Sequence, residues 1–321
     1  MRNVAVTGLA LAILAPLATA SDTLMAIATF GFLAASLAVS YNLIFGFTGQ
    51  LSLFHAASFG VSAHVTSVLV TREGWGFFQA LGPAVLLVAL LALVVGTICF
   101  RFKLREFYFA VVTMAFAELL RLVMLNWNGV TNGSLGITVA VPPTAHLPWG
   151  SVAIATPFAW YYVSLALLAA TYLICARLLG SWIGRCLSAL RLNDQLGESL
   201  GIDTFRYKLL SFVVGSSLAG LTGAFYGFYT GFVEPAYLSI PQSLDIIAMV
   251  LLGGTGTLLG PVLGALLLTA LPHAIELGAE LRVILHGAIL IFVILVMPRG
   301  IVGLMPRTMP ARALRAVPHA S

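Results

Sequence analysis

Between Ala80 and Phe100 the chain carries no charged residue, and apolar runs of this kind recur along its length. A helix needs about 20 predominantly apolar residues to cross the hydrocarbon core of a bilayer. In that solvent every backbone amide must be satisfied inside the protein, so only helices and closed barrels span it. Composition points the same way: 60% of the 321 residues are hydrophobic, 8% are charged, and the mean hydropathy is +1.04. A soluble domain usually carries about 25% charged residues. The expected fold is all-α, a polytopic membrane protein of about 10 transmembrane helices. It forms one transmembrane domain over 1–307, followed by a short tail, 308–321.

The apolar runs place spans at 4–20, 24–45, 50–70, 80–100, 106–126, 158–177, 208–230, 242–254, 258–275 and 283–298. Glycines interrupt two regions of this pattern, the span 50–70 and the pair around 253–260. Irregular backbone at membrane depth survives where protein buries it or where it lines a watery cavity. Those two regions are therefore the places to look for function. The first run has a second reading: Arg2, the apolar stretch from Val4 and Ala18-Thr19-Ala20 before Ser21 also resemble a cleavable signal peptide.

Basic residues set the orientation, because cytoplasmic loops accumulate Lys and Arg. With the N-terminus inside, thirteen of the 16 basic residues fall on the cytoplasmic side, among them Arg101, Lys103, Arg105, Arg185, Arg191, Arg206 and Lys208. The connection 127–157 has no charged residue and 231–243 has only Glu234, so both read as external, with both termini cytoplasmic. The net charge of +5 is a topology signal and does not imply nucleic acid as a partner. Cys99, Cys175 and Cys186 sit at or near the reducing cytoplasmic face, so no disulfide is expected. The histidines lack metal-ligand spacing. Neither Lys103 nor Lys208 closes a GxxxxGK[ST] phosphate loop, so any ATP must be bound by another polypeptide. The chain is not expected to be an enzyme, and no directly bound cofactor is expected.

The cytoplasmic stretch 181–208 divides into two short helices, about residues 185–192 and 195–200. Leu187 and Leu190 share one side of the first, Asn193 or Asp194 can cap the second, and Gly201 suits a left-handed stop. A helical knob at a membrane surface fits a groove on a soluble partner; a solvated basic loop is the alternative reading of the same residues.

Gly184-Arg185, Ala189-Leu190-Arg191, Asn193-Asp194 and Leu200-Gly201-Ile202 resemble the coupling loop of the branched-chain amino acid ABC permeases of the LivM type. Five further segments resemble that family in order. They are Tyr41-Asn42-Leu43 through Gly46-Phe47-Thr48-Gly49-Gln50-Leu51-Ser52 to His55; Tyr108 to Thr113 with Phe116-Ala117-Glu118; Thr131-Asn132-Gly133 with Gly136-Ile137; Leu252-Gly253-Gly254-Thr255-Gly256; and Pro298-Arg299-Gly300-Ile301. Three positions depart from the family pattern: Phe54, Glu106 and Asn132 stand where it usually has glycine.

The resemblance implies an importer subunit of the bacterial inner membrane that forms half of a translocation pathway. Its partners would be a second permease subunit, two ABC ATPase subunits and a periplasmic solute-binding protein, in contact with membrane lipid. It implies that Gly184, Arg185, Leu187, Ala189, Leu190, Arg191 and Gly201 couple to the ATPases. The candidate pathway residues are Ser52, His55, Thr113, Glu118, Gly253, Gly254 and Gly256. Glu118 and Arg121 lie three apart on one helix, a spacing that allows an ion pair. Small residues around His55 explain it equally well by close helix packing. A ribose-type sugar permease and, in a different class, a self-sufficient secondary carrier or channel are the alternatives. A carrier would need no coupling knob.

Overall fold

The structure is a computed structural model that describes residues 21–104, 106–147, 150–274, 287 and 300–301. Its long helices are α1 (Asp22–Thr48), α2 (Phe54–Thr71), α3 (Phe77–Arg101) and α4 (Glu106–Asn126). After a single turn, α5 (Asn128–Thr131), come β1 (Ile137–Thr138), β2 (Thr144–Leu147) and β3 (Gly150–Ala153). Then follow α6 (Pro157–Gly180), α7 (Trp182–Leu192), α8 (Asp194–Ser199) and α9 (Thr204–Thr230). β4 (Phe232–Val233), α10 (Ile240–Gly253) and α11 (Leu259–Ala274) complete the described chain.

Local chemistry explains several boundaries. Thr156 accepts from the Ala159 amide at 3.2 Å and Pro157 opens α6, where a missing amide proton costs nothing. Asp203 caps α9 by accepting from the Arg206 amide at 3.1 Å. Gly49, at φ 75°, ends α1 in a left-handed conformation and returns its amide to the Phe45 carbonyl.

α1 and α9 form the centre of the bundle: α9 packs on α1, α2 and α3, while α1 also packs on α6, α10 and α11. Their apolar character runs around the whole helix, as expected of a helix covered on all sides. Aromatic rings fill the spaces between helices. Phe77 meets Phe225 and Phe228 edge-on at 5.0 and 4.6 Å. Phe54, one of the departures from the family pattern, joins Phe100, Phe109 and Phe212 in a second buried group. By contrast, only 28% of the apolar stretch of α4 is buried, against 61% for α1 and α9. Phe107, Tyr108, Val111, Leu119 and Leu122 form an exposed stripe along it.

Among the described residues five helices are long and apolar enough to cross a membrane: α1, α3, α4 over 107–126, α6 and α9. The expected spans 4–20 and, apart from residue 287, 283–298 lie outside the described residues. Three other expected spans fall on helices that do not reach that standard. α2 carries buried Ser58, Ser62, His64, Thr66 and Ser67, and α10 and α11 have only 14 and 16 residues. The all-helical expectation holds for the membrane part. It does not cover the connections between helices, where β2 and β3 form a hairpin and β1 pairs antiparallel with β4.

The connections sort to two ends. Lys103, the α7–α8 segment, the end of α1 and the 254–257 turn meet at one end. Arg72, Gly129, β1 and β4 meet at the other.

Candidate functional site

The α7–α8 knob is built as its sequence leads one to expect. Ser181 caps α7, Asn193 caps α8 by accepting from the Leu196 amide at 3.1 Å, and Gly201 closes the unit at φ 81°. The Ile202 amide bonds back to the Gly197 carbonyl at 3.0 Å, which ties off the end of α8. Gly184, Leu187 and Leu190 face inward and are buried, and Ala189 is half-buried. A Cβ on Gly184 would collide with the Leu179 backbone, so that glycine lets α7 turn sharply off α6. Arg185 points outward and lies 5.2 Å above the Trp182 ring. Leu192, Leu196 and Leu200 stand in solvent at 86, 59 and 72% exposure, four residues apart.

Three polar ties anchor this knob to three different parts of the bundle. Lys208 of α9, only 7% exposed, pairs with Asp194. Lys103, in the turn between α3 and α4, pairs with Glu198 at 2.9 Å, and the Thr204 hydroxyl donates to the same carboxylate at 2.6 Å. The Thr204 hydroxyl and then the Lys103 ammonium hold the Glu198 carboxyl below its ordinary range. Arg191, itself exposed, makes the third tie by reaching across to the bundle: its guanidinium donates to the Gly46 carbonyl of α1 and to Thr255 Oγ1 at 3.3 Å.

The glycine break is a turn between α10 and α11. Gly254 and Gly256 adopt φ 111° and 77°. A Cβ on Gly253 would collide with the Gly260 carbonyl, so this glycine serves the close crossing of the two helices. Asn42 holds the turn against α1: its Nδ2 donates to the Thr257 carbonyl at 2.8 Å, and its Oδ1 accepts from the Gly256 amide at 3.3 Å.

The other interrupted region is Gly49–Leu53, a non-helical stretch before α2 in which Gln50 and Ser52 are buried. At Leu53 its backbone bonds to side chains from distant helices. The Leu53 amide donates to Thr113 Oγ1 at 3.1 Å, and the Leu53 carbonyl accepts from Ser243 Oγ at 3.0 Å. Ser52 Oγ accepts from the Phe54 amide at 3.2 Å. Ser52 and Thr113 are thus brought together around one peptide segment. His55 lies beside them, buried, with Nε2 2.8 Å from Ser40 Oγ and its ring edge-on to Tyr41 at 5.2 Å. Glu118 is apart from this group, on α4, in a two-pronged pair with Arg121 at 2.8 and 2.6 Å.

Asn42, Thr255, Lys103, Asp194, Glu198 and Lys208 all hold the site together, although residue type and spacing alone did not single them out for these roles. At the far end, Asn132 sits at φ 62° and donates to the Gly136 carbonyl at 3.0 Å. Asparagine tolerates the left-handed region through such local bonds, which explains its departure from glycine there.

A helical membrane bundle with a tethered knob and a glycine turn beneath it defines a transport subunit. The chain belongs to the family of branched-chain amino acid transport system permease components, whose pattern it matches over residues 23–294. It is 28% identical over 310 residues to the high-affinity branched-chain amino acid transport system permease protein LivM of Escherichia coli K12, covering 90% of this chain and 71% of that one. It is 25% identical to LivH of the same organism, covering 86% and 92% of the two chains. A probable LivM of Methanocaldococcus jannaschii is 29% identical over 190 residues, 57% of this chain and 52% of that protein. No solved structure matches the chain.

Proposed function

We propose that this chain is the membrane-spanning subunit of an ABC importer for branched-chain amino acids or related small solutes. It forms half of the pathway with a second permease chain. A periplasmic binding protein delivers solute, and two ATPase subunits dock on the α7–α8 knob. The chain itself binds no nucleotide and no cofactor. The basic knob end faces the cytoplasm of a multi-pass inner-membrane protein, following the rule that cytoplasmic loops are Lys- and Arg-rich.

The observation that carries this reading is the exposure of Leu192, at the end of α7, and of Leu196 and Leu200, on and just after α8. Three exposed leucines on a firmly tied knob offer apolar anchors to a soluble partner. A second feature supports a pathway or partner along α4. The Glu118–Arg121 pair is 34 and 27% exposed on the least buried span, and charge facing lipid is costly. Water or a second permease chain against that stripe removes the cost.

The test is the double variant Leu196→Asp with Leu200→Asp. It inserts at near-normal levels, while ATPase copurification and solute uptake fall by on the order of tenfold or more, as for central anchors of an interface. Undiminished copurification sinks the docking role of this leucine face.

A further inference from the structure

Arg191 belongs to the knob by sequence but not by contact. Its Cγ lies 3.6 Å from where a Cβ would stand on Gly49, so its stem runs along the end of α1. Its head occupies a space that Gly256 leaves open, while the missing side chain of Gly46 makes room for Asn42 and the Gly256 amide. A Cβ on Gly256 would stand 2.5 Å from Arg191 Nη1 and 3.4 Å from the Gly46 carbonyl, and one on Gly46 would stand 2.9 Å from the Gly256 amide nitrogen. The Gly46 carbonyl is in the last turn of α1, where carbonyls lack intrahelical partners and the helix dipole is negative. A guanidinium, with fixed donors and permanent charge, fits both that carbonyl and the Thr255 hydroxyl. The socket therefore joins three elements, the end of α7, the end of α1 and the 254–257 turn, with Asn42 clamping the last two.

We propose that Arg191 is the positioning residue that transmits movement of the knob to the α10–α11 turn, and that it takes no part in docking the ATPases. This rests on the importer reading above. The other two ties bind the knob to α9 and to the α3–α4 turn. Arg191 alone among the three reaches the glycine turn, whose two positive-φ residues give it a backbone that can be reset without distorting a helix. Pulling on Arg191 acts on that turn at Thr255, and so on the adjoining ends of α10 and α11. The coupling is a two-state bias carried through one side chain.

The experiment uses the complete importer in proteoliposomes with its binding protein and leucine as the probe, comparing Arg191→Ala, Arg191→Lys and Thr255→Ala with wild type. Copurified ATPase, ATP hydrolysis and solute uptake are measured together. Arg191→Ala is expected to keep its ATPases and to hydrolyse ATP, while ATP consumed per solute rises about tenfold, within the usual span of a coupling free energy. Arg191→Lys recovers part of the loss, because an ammonium can serve one of the two acceptors. Thr255→Ala, far in sequence from the knob, shifts the ratio in the same direction by a smaller factor. An unchanged ratio in Arg191→Ala overturns the proposal, and so does loss of ATPase copurification in an Arg191→Ala chain that inserts normally, which would make it a docking residue. If Arg191→Ala fails to insert, Thr255→Ala decides: a raised ratio supports transmission and an unchanged one overturns it. Failure of the underlying importer reading shows separately, as a wild-type chain with which no ATPase copurifies and whose solute uptake does not depend on ATP.

Discussion

Around the knob the chain is fastened by charged side chains: Lys208 to Asp194, Lys103 to Glu198, Arg191 to the end of α1. At the opposite end β1 lies along β4, with Ile137 opposite Val233 and Thr138 opposite Phe232. Glycines at φ 56° and 70° bend the chain into that seam. Side-chain ties can be exchanged one at a time as helices shift. A backbone seam with left-handed turns has few alternative arrangements. The molecule thus has one end suited to rearrangement and one suited to holding the frame.

Breaking the seam should have the largest effect. Gly136 has φ 70° and ψ −176°, a region essentially reserved for glycine, and a Cβ there would stand 2.7 Å from Phe232 Cζ and from the Val233 carbonyl. Gly136→Val should cost roughly 2–5 kcal/mol from backbone strain and overpacking together. Its expected signature is little folded protein after detergent extraction and a clearly lowered melting temperature. A wild-type melting curve would show that the seam is not the stiff element.

A charged tie should matter less. Asp194→Asn keeps the shape and an acceptor oxygen beside the nearly buried Lys208 but removes the charge. The difference between a charged and a neutral hydrogen bond is about 1 kcal/mol, readable as a modest drop in thermal stability of the purified subunit. A drop as large as that of Gly136→Val would erase the contrast between the two ends.

The smallest effect belongs to the exposed Lys103–Glu198 tie, with side chains 75 and 38% exposed. Glu198 is held below its ordinary 4.5 in the folded chain, so its contribution is complete above that value and is lost as pH falls through the lowered one. Fluorescent labels at Phe102 and Ser199 should keep their separation down to pH 4.5 and move apart only in stronger acid. Separation that already grows at neutral pH would mean the carboxylate does not hold the loop.

Much of the knob could be read from residues: Asn193 and Gly201 mark its caps, and Leu187 and Leu190 its inner face, because capping chemistry is local. The Glu118–Arg121 pair was legible from its spacing for the same reason. Arg191 was legible as important but not as tied to the bundle, since its acceptors lie 145 and 64 residues away in sequence. The seam was invisible, because two-residue strands are too short to show a period. The start of α2 was placed at 50 and lies at 54, since its unwinding depends on partners from α4 and α10.

That last feature bears on how the protein is made. The Leu53 amide and carbonyl find their partners 60 and 190 residues further along the chain. At synthesis rates of roughly 5–20 residues per second, the ribosome needs about 10–40 s after Leu53 to deliver Ser243. Until then the Leu53 carbonyl, destined for the protein interior, lacks its hydroxyl donor, and hydrocarbon offers none. The segment before α2 therefore completes its hydrogen bonding only after α10 has been made. Biogenesis of this subunit is then a matter of late closure around an early segment, and not of spans settling one after another in the order of translation.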